Sequence, residues 1–406
     1  MSVVFTAGII LAALAGILLR PFGVREVVPA MAGAAALVVC GLLPPGAAWR
    51  AAGQGWDVYL FLAGMMLLAE LAALEGVFDW AAWLVARAAC GSAFRLFCYV
   101  YALAVLITGF LSNDATAVVF TPAVAVMARQ AGAAEKLPYL LICAFVANAA
   151  SFLLPISNPA NLVVYGAAMP DLPHWVRLFL LPSVVAILAS FLLLWATQAR
   201  ALRQRLSVPA PVTLRAGGAL TLAGLGFMAG LLLLASYRGW HLGPPTFGAG
   251  VATTALVLLR GGKSPWPVLR GVSWSVLLLV AGLFIMVGAL DRLGLVAWLG
   301  HLAAGLGSVP RGAGLALLCN LINNLPAGLL AGHVFAAAPA QAKAVALIAV
   351  DLGPNLSITG SLATILWLTA LRRHGENVTA WRFLRLGLVM MPPVLLLALY
   401  ALRCAV

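Results

Sequence analysis

Apolar residues run along this chain in blocks of about twenty, the length a helix needs to cross a bilayer, and short polar turns separate the blocks. Three such spans, about 3–19, 27–43 and 57–75, open the chain. A helical stretch then leads to a polar tip, two more spans follow, and the same order starts again near residue 215. The segment "WDVYLFLAGMMLLAELAALEGVFDW" from Trp56 aligns with "WSVLLLVAGLFIMVGALDRLGLVAW" from Trp274, an offset of 218. Pro29 matches Pro245 at 216, residues 111–118 match 322–329 at 211, and 148–163 match 351–366 at 203. Four matches in one order, with offsets that stay between 203 and 218, define an internal repeat. The chain thus divides into a first half, 1–200, a basic linker, 201–214, and a second half, 215–406.

If the segment around Asn113 enters and leaves on the same side, each half crosses the membrane five times. An odd number of crossings inverts the second half relative to the first, a plan known from transporters. The expected fold is therefore an all-α polytopic membrane protein of two inverted repeats, each of about five transmembrane helices plus a re-entrant hairpin. Charge gives the orientation. With both termini outside, seventeen Lys and Arg, Arg20 among them, fall in cytoplasmic loops. Seven (Arg50, Arg177, Arg238, Arg292, Arg311, Lys343 and Arg403) fall outside, which fits the positive-inside rule.

Composition supports the same class. Of 406 residues, 64% are hydrophobic and 9% charged, with a mean hydropathy of +1.08, where soluble domains carry about 25% charged residues. The net charge of +13 then belongs to the loops and the lipid surface, and no nucleic-acid partner is expected. "MSVVFT" ahead of the first span holds no Lys or Arg, so that span is expected to stay as a helix and not to be cleaved as a signal peptide. Six cysteines without a C-x-x-C pair and five scattered histidines make neither a metal site nor a disulfide framework.

Against this apolar background, four polar clusters stand out. An amide or carboxylate in hydrocarbon costs several kcal/mol unless it is paired or lines a wet cavity. The first hairpin tip, near 111–116, holds Ser112, Asn113, Asp114 and Thr116; the second, near 322–326, holds Asn323 and Asn324 before Pro326. A broken helix near 155–161 sets Ser157, Asn158 and Asn161 among Pro155 and Pro159. Its counterpart near 353–364 sets Asn355, Thr359, Ser361 and Thr364 among Gly353, Pro354 and Gly360. Proline and glycine interrupt helices at these points and free backbone groups that can face a solute. Converging near the midplane, such elements make a site for a small polar solute. Asp114 and Asp351 are the carboxylates beside the breaks, and an intramembrane carboxylate can take up and release a proton as access alternates. Glu70, Glu75 and Asp79, near the end of the third span, are read as structural.

"RGGKSPW" ends like a phosphate loop, but the motif needs Gly at position 257, where Val stands. The chain is therefore expected to be no ATPase or other enzyme and to need no cofactor. An ion gradient or a separate ATPase must drive any transport. A sodium/proton antiporter or another small-solute carrier remains compatible with these residues, as does a passive channel.

The segments "FLSNDATAVVFTPAV", "LLPISNPANLVVYG", "CNLINNLPAGLLAG" and "DLGPNLSITGSLATILWL" resemble the signature segments of the bacterial arsenite efflux pumps, the ArsB family of the ion transporter superfamily. The resemblance runs from the first span to the last. It implies export of arsenite and antimonite across the bacterial inner membrane, driven by inward proton flow, with a soluble arsenite-stimulated ATPase as a partner of some relatives. It also implies a site drawn from Ser112, Asn113, Asp114, Asn158, Asn161, Asn323, Asn324 and the stretch from Thr359 to Thr364. Arsenite near neutral pH is mostly uncharged As(OH)3, whose hydroxyls amides and side-chain hydroxyls can satisfy. No Lys or Arg lies in the four segments, where a dicarboxylate or phosphate site often recruits Arg. Cys143 and Cys319 are read as packing, although arsenic is thiophilic.

Overall fold

Hydrocarbon offers backbone amides no partner, so a chain of this composition must satisfy them within helices. The computed structural model describes residues 2–19 and 24–405, and among these the regular elements are all helices, with one isolated bridge between Ser92 and Arg205. Arg20 lies outside the described residues.

The helices fall into two series with the same order. The first is α1 (Ser2–Leu19), α2 (Val27–Val39), α3 (Pro45–Gly53), α4 (Trp56–Leu74), α5 (Val77–Ala88), α6 (Ala93–Phe110), α7 (Thr121–Gln130), α8 (Leu137–Ala149), α9 (Pro159–Tyr165) and α10 (Leu172–Gln198). The second is α11 (Ala216–Tyr237), α12 (Gly243–Gly261), α13 (Trp266–Gly271), α14 (Ser275–Arg292), α15 (Leu295–Ala304), α16 (Ser308–Ile322), α17 (Asn324–Val334), α18 (Ala340–Leu352), α19 (Leu362–Arg373) and α20 (Ala380–Ala405). Among the described residues, six of these are long and apolar enough to span a bilayer: α4, α6, α10, α11, α14 and α20. The shorter ones include the hairpin legs and the broken halves α8–α9 and α18–α19, which is why plain hydropathy blurs the count.

Packing between the halves is reciprocal: α4 lies on α12 as α2 lies on α14. Small residues let the backbones approach, as in other membrane helix pairs. A side chain on Gly250 would come within 2.6 Å of the Gly64 carbonyl, and one on Gly282 within 3.1 Å of the Ala30 carbonyl. The long helices α10 and α20 pack on each other across the same relation.

Helix α4 has 19 residues, about 28 Å at 1.5 Å per residue, and its ends mark the two faces of the molecule. At one end the Asp57 carboxylate accepts a bond from the Gly243 N–H at the start of α12 (2.8 Å), with His241 beside it. At the other, Glu75 is buried and paired with Lys263, and Gly217 of α11 lies against its carboxylate.

The first hairpin, α6 to α7, has its base on the Glu75 face. There the linker is a strap and not a free loop. Its Leu206 N–H donates to the Gly91 carbonyl (2.8 Å), its Ser207 N–H to the Ala131 carbonyl (2.9 Å), and the Gln204 amide oxygen accepts from the Ala134 N–H (2.9 Å). Leu202 and Pro209 are buried beneath it. Lys136 pairs with Glu376 nearby at 3.0 Å, while burial, then the Arg129 and Lys136 charges, hold His374 below the usual imidazole range. The second hairpin, α16 to α17, has its base on the Asp57 face, and one side chain ties it. Arg311 donates to the carbonyls of Ala303 (3.0 Å) and Leu306 (2.8 Å) and lies over the Phe335 ring. The two hairpins thus enter from opposite faces, as an inverted repeat requires.

Candidate functional site

Each hairpin tip closes its own loose backbone groups with the polar residues it carries. After α6 the Ser112 hydroxyl accepts from the Ala115 N–H (3.1 Å) and the Asn113 side chain from the Asp114 N–H (2.9 Å). The return leg begins as a π-helical segment, Ala115–Phe120, a widened turn of a kind found mostly at functional sites. Thr116 lies on it and pairs with Thr108 at 2.8 Å, both buried. At the second tip Asn323 adopts φ +75°, ψ 154° and accepts from the Leu325 N–H (3.3 Å), capping α17.

The broken helices are tied to these tips. The Ser157 carbonyl accepts from the Asn113 N–H (3.0 Å), and the Ser157 hydroxyl donates to the Gly109 carbonyl (3.0 Å). In the other half the Thr359 hydroxyl donates to the Asn320 carbonyl (3.0 Å) and the Ser357 hydroxyl to the Asn320 side chain (2.6 Å). Asn161 donates to three carbonyls of the break, those of Ser151 (2.9 Å), Leu154 (3.2 Å) and Pro155 (3.2 Å). Asn158 caps α9, its side-chain oxygen accepting from the Ala160 N–H (3.0 Å), and Ser361 caps α19, accepting from the Thr364 N–H (3.0 Å). Thr364 in turn pairs with the Ser361 hydroxyl at 2.8 Å.

Where the four elements meet, a small cavity lies between the halves. Asn113 and Asp114 reach it from the first tip, Asn158 from the first break, Asn324 from the second tip and Ser361 from the second break. Leu62 of α4 and Val276 of α14 close its sides. Its lining holds one carboxylate and no Lys or Arg. No hydrogen bond engages the Asp114 carboxylate among the described residues. Asp351 lies behind this wall: it is fully buried on α18, one oxygen accepts from the Asn158 amide (2.8 Å), and the other has no partner.

Of the residues picked out in sequence, the structure brings Asn113, Asp114, Asn158, Asn324 and Ser361 together on this cavity. Ser112 lines the adjoining passage. Thr116, Ser157, Asn323, Thr359 and Thr364 spend their polar atoms on bonds within the protein, as does the Asn161 amide nitrogen, while the Asn161 side-chain oxygen is buried without a partner among the described residues. Cys143 and Cys319 are buried away from the lining. Sequence reasoning passed over a second polar link between the halves, in which Asn148 of α8 donates to Asn355 (2.9 Å), which donates to the Phe145 carbonyl (3.2 Å). The repeat carried its signal, since Asn148 aligns with Asp351.

The cavity opens toward one face only. A passage shares Leu62, Asp114, Pro159, Val276 and Leu362 with it and holds Glu70. That passage runs into a vestibule on the Glu75 face that carries Arg25, Arg270 and Arg373. A vestibule on the Asp57 face, lined by Arg50, His333 and Lys343 among others, shares no lining residue with the cavity. Between them α17 presses on α9: a side chain on Gly332 would come within 2.8 Å of the Val164 carbonyl and 2.9 Å of the Val163 carbonyl.

A polar cavity at the meeting of two hairpins and two broken helices, open toward one face of a helical membrane protein, defines a membrane transporter. Comparison with known proteins agrees. The CitMHS family profile, described as citrate transporter, matches residues 9–353, so the chain belongs to the CitMHS family of membrane transporters and is not an enzyme. The chain is 27% identical over 376 residues to an arsenical pump membrane protein of Escherichia coli, covering 86% of each. It is 25% identical over 400 residues to an uncharacterized transporter of Mycobacterium tuberculosis, covering 90% of each. The crystal structure of the Alcanivorax borkumensis YdaH transporter superposes with a TM-score of 0.53 at 16% identity, over 87% of this chain and 86% of that one, and so shares the fold.

Proposed function

We propose that this protein exports arsenite, and antimonite with it, from the cytoplasm in exchange for protons, by alternating access around the cavity of Asn113, Asp114, Asn158, Asn324 and Ser361. The composition of that cavity carries the reading. Amides and a hydroxyl suit a neutral trihydroxy solute, which both donates and accepts hydrogen bonds. A citrate-like anion would call for the cationic partners that planar carboxylates recruit, and the lining has none. Similarity along most of the chain to proteins named arsenical pump supports the same substrate.

In this reading the Glu75 face is cytoplasmic, because it gathers the basic linker and most loop arginines, and both termini are outside in a bacterial inner membrane. The structure then corresponds to a state open to the cytoplasm, ready to load. A neutral solute draws nothing from the membrane potential, whereas each proton moved inward is worth about 2.3 kcal/mol per 100 mV. Asp114, exposed to the cavity, exchanges its proton for the solute. Asp351, bonded to Asn158, couples protonation to the position of the first broken helix. A soluble ATPase, if one joins, would dock on the same cytoplasmic face.

The test is arsenite uptake into everted membrane vesicles with and without an inside-acid proton gradient. Uptake that requires the gradient and collapses with a protonophore is the expected result. Absence of uptake with intact protein present would remove arsenite as substrate and direct attention to sodium and carboxylates.

A further inference from the structure

Glu70 sits on α4 a little more than a turn from its end, half-buried, with its carboxylate packed against Gly271 of α13 so closely that any side chain at 271 would displace it. No hydrogen bond or ion pair engages it among the described residues. It lines the passage that joins Asp114 to the vestibule of Arg25, Arg270 and Arg373. The rest of that passage is largely methionine, valine and leucine, with the hydroxyls of Ser112 and Ser273. Of the other charged groups nearby, Arg270 stacks over Trp266, the Glu75 carboxylate is taken by Lys263, Asp79 lies on α5 outside the passage lining, and Arg25, Glu26 and Arg373 line the vestibule and not the passage. An unpaired carboxylate in an apolar passage is costly to keep, and nothing structural in its surroundings uses it.

We infer that Glu70 is the proton relay between Asp114 and the vestibule on the Glu75 face. This rests on the proton-antiport reading above. When the cavity opens to the cytoplasm, the protonated Asp114 carboxyl gives up its proton, and the Glu70 carboxylate accepts it through the Ser112 and Ser273 side of the passage. Glu70 then releases it to water in the vestibule, leaving Asp114 ionised and the cavity free for solute. Glu70 touches neither the cavity nor the solute, so it sets the rate of proton release and not the affinity.

Two modes of transport in everted vesicles separate these roles. Gradient-driven net uptake needs a proton to leave Asp114 in every cycle. Exchange of labelled for unlabelled arsenite needs only the solute-loaded protein to change sides. In Glu70→Gln, net uptake is expected to fall about tenfold or more, while exchange stays near the wild-type rate. Glu70→Asp, or a small weak acid added to the Gln variant, should restore part of the net uptake. Wild-type net uptake in Glu70→Gln, or equal loss of both modes without rescue, would overturn the relay while leaving antiport intact. A wild-type protein without gradient-dependent uptake would overturn the antiport reading itself, and the relay with it.

Discussion

At the tip of the second hairpin, Asn323 holds φ +75° and ψ 154°, a region that glycine occupies and other residues enter only under strain. Such a conformation costs about 1–3 kcal/mol and persists where the surroundings enforce it. Replacing Asn323 by Gly removes the strain, and a glycine cap costs only a few tenths of a kcal/mol relative to asparagine. Asn323→Gly should therefore raise stability by about 1 kcal/mol, read as a higher midpoint in thermal unfolding of the detergent-solubilised protein. Asp114 gives the opposite kind of prediction. Asp114→Asn keeps the shape of the side chain but cannot carry a proton, so on the proposed function it should insert normally and lose gradient-driven arsenite uptake. Full uptake by that variant would take Asp114 out of the coupling. Both residues were visible in the sequence because a polar group is expensive in an apolar run. What the sequence could not separate is a polar residue that faces the cavity from one that braces a break. Asn158 and Asn161 are three residues apart, one capping α9 and the other in its first turn. One lines the cavity, while the other spends its amide on three carbonyls. Glu70 was visible too and was read as structural; its place on the wall of the passage shows only in the fold.

Among the elements, the contact between α17 and α9 closes the route to the Asp57 face. Gly328 and Gly332 give α17 its flat side, and the Val163 and Val164 carbonyls lie directly beneath. A methyl group at 332 must push the two helices apart, at a cost of about 1–3 kcal/mol for overpacking. Gly332→Ala should thus weaken this closure. A cysteine placed at Leu325, on the cavity wall, should then label faster with an impermeant thiol reagent applied from the Asp57 face. Unchanged labelling would place the barrier elsewhere. The order of the elements was legible from the repeat, and the tips and breaks fall where Pro, Gly and amides cluster. The π-helical start of the return leg and the short helices α3 and α13 were not, because neither disturbs the apolar pattern from which spans are read.

For the molecule as a whole, the two halves pack reciprocally, but their hairpins are tied down by different means. Arg311 fastens the base of the second, while the strap fastens the first. The strap's backbone and side-chain bonds go to Gly91, Ala131 and Ala134, all in the first half, and end at Ser207. Beyond it, residues 208–214 make no backbone bond that joins one half to the other. Covalent continuity past residue 207 is therefore dispensable to the architecture, although the strap itself is not. Cells given two separate genes, one encoding 1–212 and one encoding 213–406, should assemble a working pump and grow in arsenite. The same experiment cut between 203 and 204 should fail, because the first hairpin then loses the segment that holds its base. In such a chain the join between the halves is a tether, and the tail that precedes it belongs to the first half alone.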